Sequence, residues 1–396
     1  MSTPGGPGPR LDPEPGRGAP GFWHRRIRFA GSELVVGALA GTVLLGLVGA
    51  GLAHAIGLPL PWLSGAVIAV AAAAIGGLRI AGAPPSFPVS LRFALVPIVG
   101  VAIGGAFTPE LIEEAGRWWI TLLGLALYIP ASHALGYVLY RRIGGYDRNT
   151  AYFAAMPGGL IEAVAMGEQA GGDPKVLTLL QFSRLIICIL FVPLGIMLYE
   201  GHAVGSAAGI ELGGPETAMG FVDAILLTAA GAIGFLGGRR LGLPAAVITG
   251  PILASGALHL AGITEAMPPA FLIALTQFVV GLGLGVRFVG MARGPAMRGL
   301  GMAALSVGAA ILLALAIGGA LHGIVRETAE AVVLAFAPGG VTEMSLVALS
   351  LQISVVFVSA HHVVRILLCV FFAKIGHNWL VRHRGWSDGG QASSTS

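Results

Sequence analysis

One short motif occurs twice in the chain and combines helix-breaking residues with a carboxylate. The copies are Pro157, Gly158, Gly159 with Glu162 and Pro338, Gly339, Gly340 with Glu343. Proline lacks a backbone N–H and glycine tolerates most backbone angles, so each copy predicts a break within a helix. In lipid such a break is tolerated only where it is buried in protein or lines a wet cavity. We therefore predict that both copies belong to a substrate- or ion-binding site.

The glutamate of each copy allows two interpretations. If a helix restarts after the glycines, Glu162 and Glu343 fall in its first turn, where a carboxylate complements the helix dipole and the free N–H groups can hold an anion. Alternatively, the two carboxylates meet near the middle of the membrane and bind a proton, a cation or an amine. The second interpretation is favoured because a carboxylate that faces hydrocarbon is costly.

Two arginines and a pair of histidines lie in apolar stretches that follow the motifs. Arg184 and Arg365 are too deep to reach water easily and need partners, for which the motif carboxylates are the most economical choice. A structural salt bridge and the binding of an anionic substrate both remain open. His361 and His362 add a polar spot beside Arg365, and His362 is a candidate member of a proton relay. Adjacent helix positions make a poor chelate, so we expect no metal site and no cofactor.

The composition is that of a membrane protein. Hydrophobic residues make up 55% of the 396 residues, charged residues only 11%, and the mean hydropathy is +0.84. Apolar runs long enough to cross a bilayer recur along nearly the whole chain. We predict a lipid bilayer and a small molecule or ion as partners, no nucleic acid, and leave a homodimer open. Cys188 and Cys369 lie in apolar runs and are expected to be small buried residues.

The chain is an internal duplication. At one constant offset the two motifs align with each other, Arg184 aligns with Arg365, and Gly100 aligns with Gly281. After a short gap, Gly65 corresponds in the same way to Gly250. The match extends over most of each half, and such self-similarity determines the architecture before any function is assigned.

The loop charges predict how the halves cross the membrane. Arginine clusters alternate with acidic stretches in a way that fits about five crossings per half, with each Pro-Gly-Gly segment entering and returning without crossing. An odd number of crossings inverts the second half, so we predict an all-α polytopic protein with two inverted-topology repeats and both termini in the cytoplasm. The predicted segments are a disordered basic tail (1–32), repeat 1 (33–200), a periplasmic linker (201–216), repeat 2 (217–384) and a second disordered tail (385–396).

The two motifs and the symmetric arginines resemble those of the AbrB duplication family of bacterial membrane proteins. Members carry labels such as ammonia monooxygenase and regulator of aidB expression, and the likeness covers nearly all of residues 33–380. The resemblance implies a membrane protein and not one of the small soluble DNA-binding AbrB regulators. Ammonia oxidation needs copper or iron, and no cluster of ligands has metal-binding spacing, so we expect no enzyme activity.

These observations predict a bacterial inner-membrane secondary transporter, coupled to protons or sodium, for a small polar metabolite. Inverted repeats with interrupted helices are the recurring architecture of such carriers. The alternative is a membrane sensor or regulator that binds a ligand without moving it and affects gene expression. Architecture alone does not separate the two functions, because one fold can serve several.

Overall fold

The computed structural model of the chain describes residues 22–29, 32–201, 219–325, 327–384 and 386. Most of the predicted N-terminal tail, all of the predicted linker except residue 201, and nearly all of the C-terminal tail lie outside these residues. Within the predicted first tail, the structure differs from the expectation of disorder. Residues 22–35 contain a 3-10 turn (Phe22–His24) and a two-stranded antiparallel hairpin of β1 (Arg26–Phe29) and β2 (Ser32–Val35) that leads into the first helix.

Most of the remaining described residues are helical, and the helices occur in two matching series. The first series is α1 (Val36–Ala55), α2 (Pro61–Ile75), α3 (Arg92–Gly104), α4 (Pro109–Ala115), α5 (Trp119–Val138), α6 (Arg148–Ala154), α7 (Leu160–Gln169) and α8 (Pro174–Glu200). The second series is α9 (Phe221–Arg240), α10 (Ala246–Leu260), α11 (Ala270–Gly285), α12 (Arg293–Val325), α13 (Ala329–Phe336), α14 (Val341–Ser350) and α15 (Val355–Arg384). Apart from α4, each helix of the first series has a counterpart in the second.

Seven of the described helices are long and apolar enough to cross a membrane: α1, α5, α8, α9, α11, α12 and α15. Helix α3 and the short α4 are bent by 91° and together could supply an eighth crossing. Helices α2 and α10 are apolar but have only 15 residues each, which is about 22 Å of helix against a hydrocarbon core of about 30 Å. The prediction of an all-α polytopic membrane protein is confirmed.

The second helix of each repeat packs on the third helix of the other repeat. Helix α2 of the first repeat packs on α11 of the second, and its counterpart α10 packs on α3. At these contacts a Cβ atom on Gly100 would lie 2.8 Å from the side chain of Pro251, and one on Gly281 would lie 3.0 Å from Ala66. Small residues at such positions allow membrane helices to approach closely. The glycines that reveal the duplication in the sequence are therefore the ones that hold its halves together.

The repeats have opposite directions in the bundle. Helix α5 and its counterpart α12 lie side by side, and Tyr128 of α5 donates a 3.3 Å hydrogen bond to the carbonyl of Ala310 near the middle of both helices. Gly144, just after α5, accepts a hydrogen bond from Arg298 near the start of α12. Gly124, near the start of α5, contacts Leu321 near the end of α12. The counterpart helices are antiparallel, as an inverted duplication requires.

Each Pro-Gly-Gly segment forms a hairpin that returns to the face from which it started. In the first hairpin, α6–α7, Asn149 at the start of α6 donates to the carbonyl of Ala170 at the end of α7. In the second, α13–α14, Ser354 beyond α14 donates to Glu327 before α13 at 3.2 Å. We call the end of the bundle at which the first hairpin starts and returns the first face. The end at which the second hairpin starts and returns is the second face. The two faces lie at opposite ends of α12, so the hairpins enter the bundle from opposite sides.

Equivalent residues start the hairpins. Asp147 caps α6 by accepting a 2.9 Å hydrogen bond from the Thr150 N–H, and Thr328 caps α13 by accepting from the Ala331 N–H at 3.2 Å. Such caps satisfy N–H groups that have no partner within the helix. The short helices α6 and α13 therefore begin at fixed points on the two faces, and their C-terminal ends point into the bundle.

Glu327 is expected to make the stability of the second hairpin depend on pH. Burial raises the pKa of Glu327 to about 7, although the hydrogen bond from Ser354 opposes the shift. The folded chain then binds this proton more tightly than the unfolded chain, so the stabilisation is complete below about pH 4.5 and is lost as the pH rises to about 7. Thermal unfolding in detergent should therefore occur at a lower temperature at about pH 8 than at about pH 5.

The variant Glu327→Gln should lose this part of the pH dependence. Glu110→Gln, at the exposed start of α4, is the control and should retain it. A Glu327→Gln protein that still follows the wild-type slope would mean that another group is responsible.

Candidate functional site

The two helix breaks lie where the sequence places them. In the first hairpin, α6 ends at Ala154 and α7 begins at Leu160; in the second, α13 ends at Phe336 and α14 begins at Val341. The backbone differs between the copies, because Gly159 is left-handed at φ 69° whereas Gly340 is extended at φ −86°. Only the first break therefore requires glycine at this position for its backbone angle.

Arg184 and Arg365 bind the broken ends of the short helices. The guanidinium of Arg184 on α8 donates to the carbonyl of Met156, and that of Arg365 on α15 donates to the carbonyls of Ala337 and Gly339. Both side chains are buried, and Arg365 is among the largest fully buried side chains of the described chain. The C-terminal end of a helix carries partial negative charge and unpaired carbonyl groups, which a cation satisfies.

This geometry corrects the expected pairing of the arginines. In the described part of the chain, neither Arg184 nor Arg365 forms an ion pair with Glu162 or Glu343. The expectation was wrong because a broken helix supplies its own acceptors: the carbonyls before each proline have no helical N–H partner and lie directly beside α8 or α15.

Beside each arginine, a second polar side chain of the same helix also binds carbonyl groups at the end of the broken helix. Gln181, one turn before Arg184, donates to the carbonyls of Phe153 and Ala154 at 3.1 and 3.3 Å. His362, the equivalent residue before Arg365, bonds through Nε2 to the carbonyl of Leu334 at 3.0 Å. Gln181 was not among the predicted site residues, although its alignment with His362 was a signal that could have identified it. The neighbouring His361 contacts Thr121 and the carbonyl of Phe357 instead, at 2.9 and 2.8 Å.

The breaks of the two repeats meet at the crossing of the last helices. A Cβ atom on Gly158 of the first break would lie 3.2 Å from Nε of Arg365 and 3.1 Å from Sγ of Cys369, both on α15. Conversely, a Cβ atom on Gly340 of the second break would lie 3.5 Å from Leu185 on α8. The charges of Arg184 and Arg365 are close enough to interact. The candidate site is therefore shared by both repeats.

Several buried polar atoms at this crossing have no hydrogen-bond partner within the described chain. They are Nε of Arg184, Nε of Arg365, Oε1 of Gln181 and Nδ1 of His362. Donors and acceptors thus occur in equivalent pairs on α8 and α15, and unpaired buried polar groups of this kind cost free energy unless water, an ion or a ligand binds them. Among the described residues, no group of three or more His, Cys, Asp or Glu side chains could hold a metal ion. Cys188 and Cys369 are buried and free.

The two motif glutamates have different environments. Glu343 is only 7% exposed, and its carboxylate folds back against Gly340 at the start of α14. Glu162 is exposed, although its carboxylate also lies near the glycine that precedes its helix, Gly159. Both positions complement the dipole of a helix N-terminus. The two equivalent carboxylates are therefore unequally accessible, one buried and one exposed.

The fold and this site define a class: polytopic membrane proteins of two inverted repeats whose broken hairpins meet at buried arginines. A family described as "Transition state regulatory protein AbrB" matches residues 62–381, so the chain belongs to that family. The resemblance noted in the sequence is thereby confirmed.

Two relatives match over most of their length. The Bacillus subtilis (strain 168) protein named "Uncharacterized protein YhjN" is 26% identical over 338 residues, which cover 79% of this chain and 85% of that protein. The Escherichia coli (strain K12) protein named "Putative regulator AbrB" is 24% identical over 318 residues, which cover 79% of this chain and 87% of that protein.

Proposed function

We propose that this multi-pass protein is a secondary transporter of the bacterial inner membrane, coupled to protons or sodium, that moves a small polar metabolite. The observation that carries the proposal is that two broken hairpins, which enter from opposite faces, both reach Arg365 and its neighbouring buried polar atoms without partners in the described chain. Transporters built from inverted repeats bind their substrates where interrupted helices meet near the middle of the membrane. The proposal places both termini in the cytoplasm, in keeping with the arginine-rich loops.

Specific roles follow for the predicted site residues. The breaks at Pro157, Gly158, Gly159 and at Pro338, Gly339, Gly340 open the backbone, and Arg184, Arg365 and His362 position their ends. Glu162 and Glu343 then bind and release the coupling proton or cation. This role fits their positions, because the carboxylate is exposed in the first repeat and buried in the second. No bond-making chemistry is assigned to the chain, and the monooxygenase label is not adopted.

The glutamates can be tested by removing their charge. Glu162→Gln and Glu343→Gln preserve shape and should abolish ion-dependent uptake of the substrate identified by screening labelled organic acids, amino acids and amines in proteoliposomes. Glu110→Gln is the matched control, because Glu110 also lies in the first turn of a helix but that helix, α4, belongs to neither hairpin; uptake should be unchanged. If the glutamates only complement helix dipoles, each glutamine variant should lose about 0.3 to 1 kcal/mol of stability and transport normally.

A sensor or regulator is the second candidate function. The names of the family and of the Escherichia coli relative favour it, since both refer to regulation. In that case the same site should bind its ligand with no net flux, so binding to the purified protein without uptake into proteoliposomes would replace transport with sensing.

A further inference from the structure

The hairpins of the two repeats are equivalent in sequence but differ in packing. Helix α14 packs on α13 and α15 of its own repeat and also on α3 and α8 of the first repeat. It is buried at most of its positions: Val341, Glu343, Met344, Ser345, Leu346, Val347, Ala348 and Ser350. Its counterpart α7 packs on α6 and α8, and only Ala163 and Gly167 are buried. In the described chain α7 has no comparable packing on α11, which is the counterpart of α3. One hairpin is therefore docked and the other is not.

The undocked side of α7 is polar. Its exposed residues form one stripe of the helix: Ile161, Glu162, Ala165, Glu168 and Gln169. Carboxylates in a membrane protein face water or protein and not hydrocarbon. The same stripe includes an exposed apolar side chain, Ile161, which is 69% exposed. This mixture of carboxylates and an exposed apolar side chain fits a surface that faces water in one conformation of the protein and packs against protein in another.

The docked hairpin indicates what covers this stripe. On the second face, Leu349 of α14 lines a cavity of about 270 Å³ together with Ala106, just beyond α3, and Ile273 of α11. At the offset of the duplication, the equivalents of these three residues are Glu168, Arg287 and Arg92. Three apolar neighbours on one face thus correspond to one carboxylate and two guanidinium groups on the other.

The two arginines repel each other electrostatically on the first face. The guanidinium of Arg287 lies 5.0 Å from the ring of Phe182, and Arg92 is near enough to repel it. Arg92 is also within electrostatic range of Glu343. Among the described residues, neither arginine forms an ion pair with Glu168 or with any other carboxylate. A carboxylate placed near both arginines would offset their mutual repulsion.

We propose that α7 docks on α11 as α14 docks on α3, and that Glu168 then pairs with Arg287 and Arg92 to close the first face. The structure is the state in which this ionic gate is open. Docking of α7 accompanies release of α14 from α3, because inverted repeats exchange conformations when access alternates. The gate rests on the proposed transport function for its role, but its closure is measurable without any substrate.

Distances between spin labels on α7 and beside α11 test the gate. Gln169→Cys and Ala292→Cys place labels at exposed positions next to Glu168 and after α11. Pulsed electron paramagnetic resonance in lipid nanodiscs should give two distance populations, of which the shorter is the closed gate. The native cysteines are replaced by alanine; because both are buried, they can be retained if their removal impairs folding.

Charge reversal provides the matched variants. Glu168→Arg should abolish the shorter population, and Glu168→Arg combined with Arg287→Glu should restore it. A single distance that is unchanged in all variants overturns the gate, even if uptake is observed. Two populations that respond to charge reversal support the gate, and a protein that shows them without taking up any compound contradicts only the proposed transport.

Discussion

Replacing Arg365 with methionine is expected to destabilise the protein more than replacing Arg184 with methionine. Arg365 binds two carbonyls of the second break, Ala337 and Gly339, whereas Arg184 binds only that of Met156 in the first. Methionine removes these hydrogen bonds, at a cost of about 1 to 3 kcal/mol each. The Ala337 carbonyl keeps a 2.8 Å hydrogen bond from the Gly339 N–H, so it loses one of its two donors. Methionine also removes the cost of burying a cation, but that relief is similar for the two arginines, which are 1% and 4% exposed.

The difference in the free energy of unfolding between the two variants therefore measures the additional hydrogen bond that Arg365 makes. Unfolding in mixed detergent micelles, followed by circular dichroism, should show Arg365→Met to be less stable than Arg184→Met by about 1 to 3 kcal/mol. Arg365→Lys is the control for charge, because lysine keeps the cation but lacks the planar fork that reaches two acceptors; its stability should lie between wild type and methionine. Equal losses at the two arginines would contradict the assigned contacts.

Replacing Gly250 with alanine is expected to disrupt the contact of α9 with α10. A Cβ atom there would collide with the carbonyl oxygen of Gly234. The oxygen belongs to the backbone and the Cβ atom is bonded directly to the backbone, so neither can rotate away and the helices must move apart. Overpacking of this kind costs about 1 to 3 kcal/mol, which outweighs the gain of about 1 kcal/mol in helix propensity. The equivalent contact in the first repeat predicts the same loss for Gly65→Ala, which would meet Gly49.

Gly237 provides the matched control within α9. A Cβ atom at Gly237 has no neighbour within 4 Å, so Gly237→Ala should leave the unfolding temperature unchanged or raise it slightly. The two single variants, compared by thermal unfolding in detergent, separate close packing from helix propensity. If Gly250→Ala unfolded at the temperature of Gly237→Ala, the helices would not be in the tight contact described.

Much of the fold could be predicted because the repeat places the same residue types at equivalent positions. Pro157 and Pro338 mark the breaks, and the aligned glycines Gly100 and Gly281 are inter-repeat contacts. The partners of the arginines could not be predicted in this way. Every residue carries a carbonyl group, so the acceptors at Met156 and Ala337 have no signature in the side-chain pattern, and a nearby carboxylate was the more conspicuous choice.

The unequal burial of Glu162 and Glu343 also lies beyond the sequence. Their motifs are nearly identical, so residue types predict equal environments, whereas the structure docks α14 and leaves α7 exposed. A symmetric sequence determines which two arrangements are available to the hairpins, but not which of them a given structure adopts.

The packing of each repeat's second helix on the third helix of the other repeat has a consequence for biosynthesis. Helices α2 and α3 are made early, yet their partners α11 and α10 belong to the second repeat and leave the ribosome much later. Until then their close-packing faces, including Gly100, have only lipid beside them. Contacts between distant parts of a chain form slowly and leave partly assembled chains prone to misassembly. A nascent chain arrested before α10 has entered the membrane would consequently be a substrate for membrane quality control, however well its individual helices had inserted.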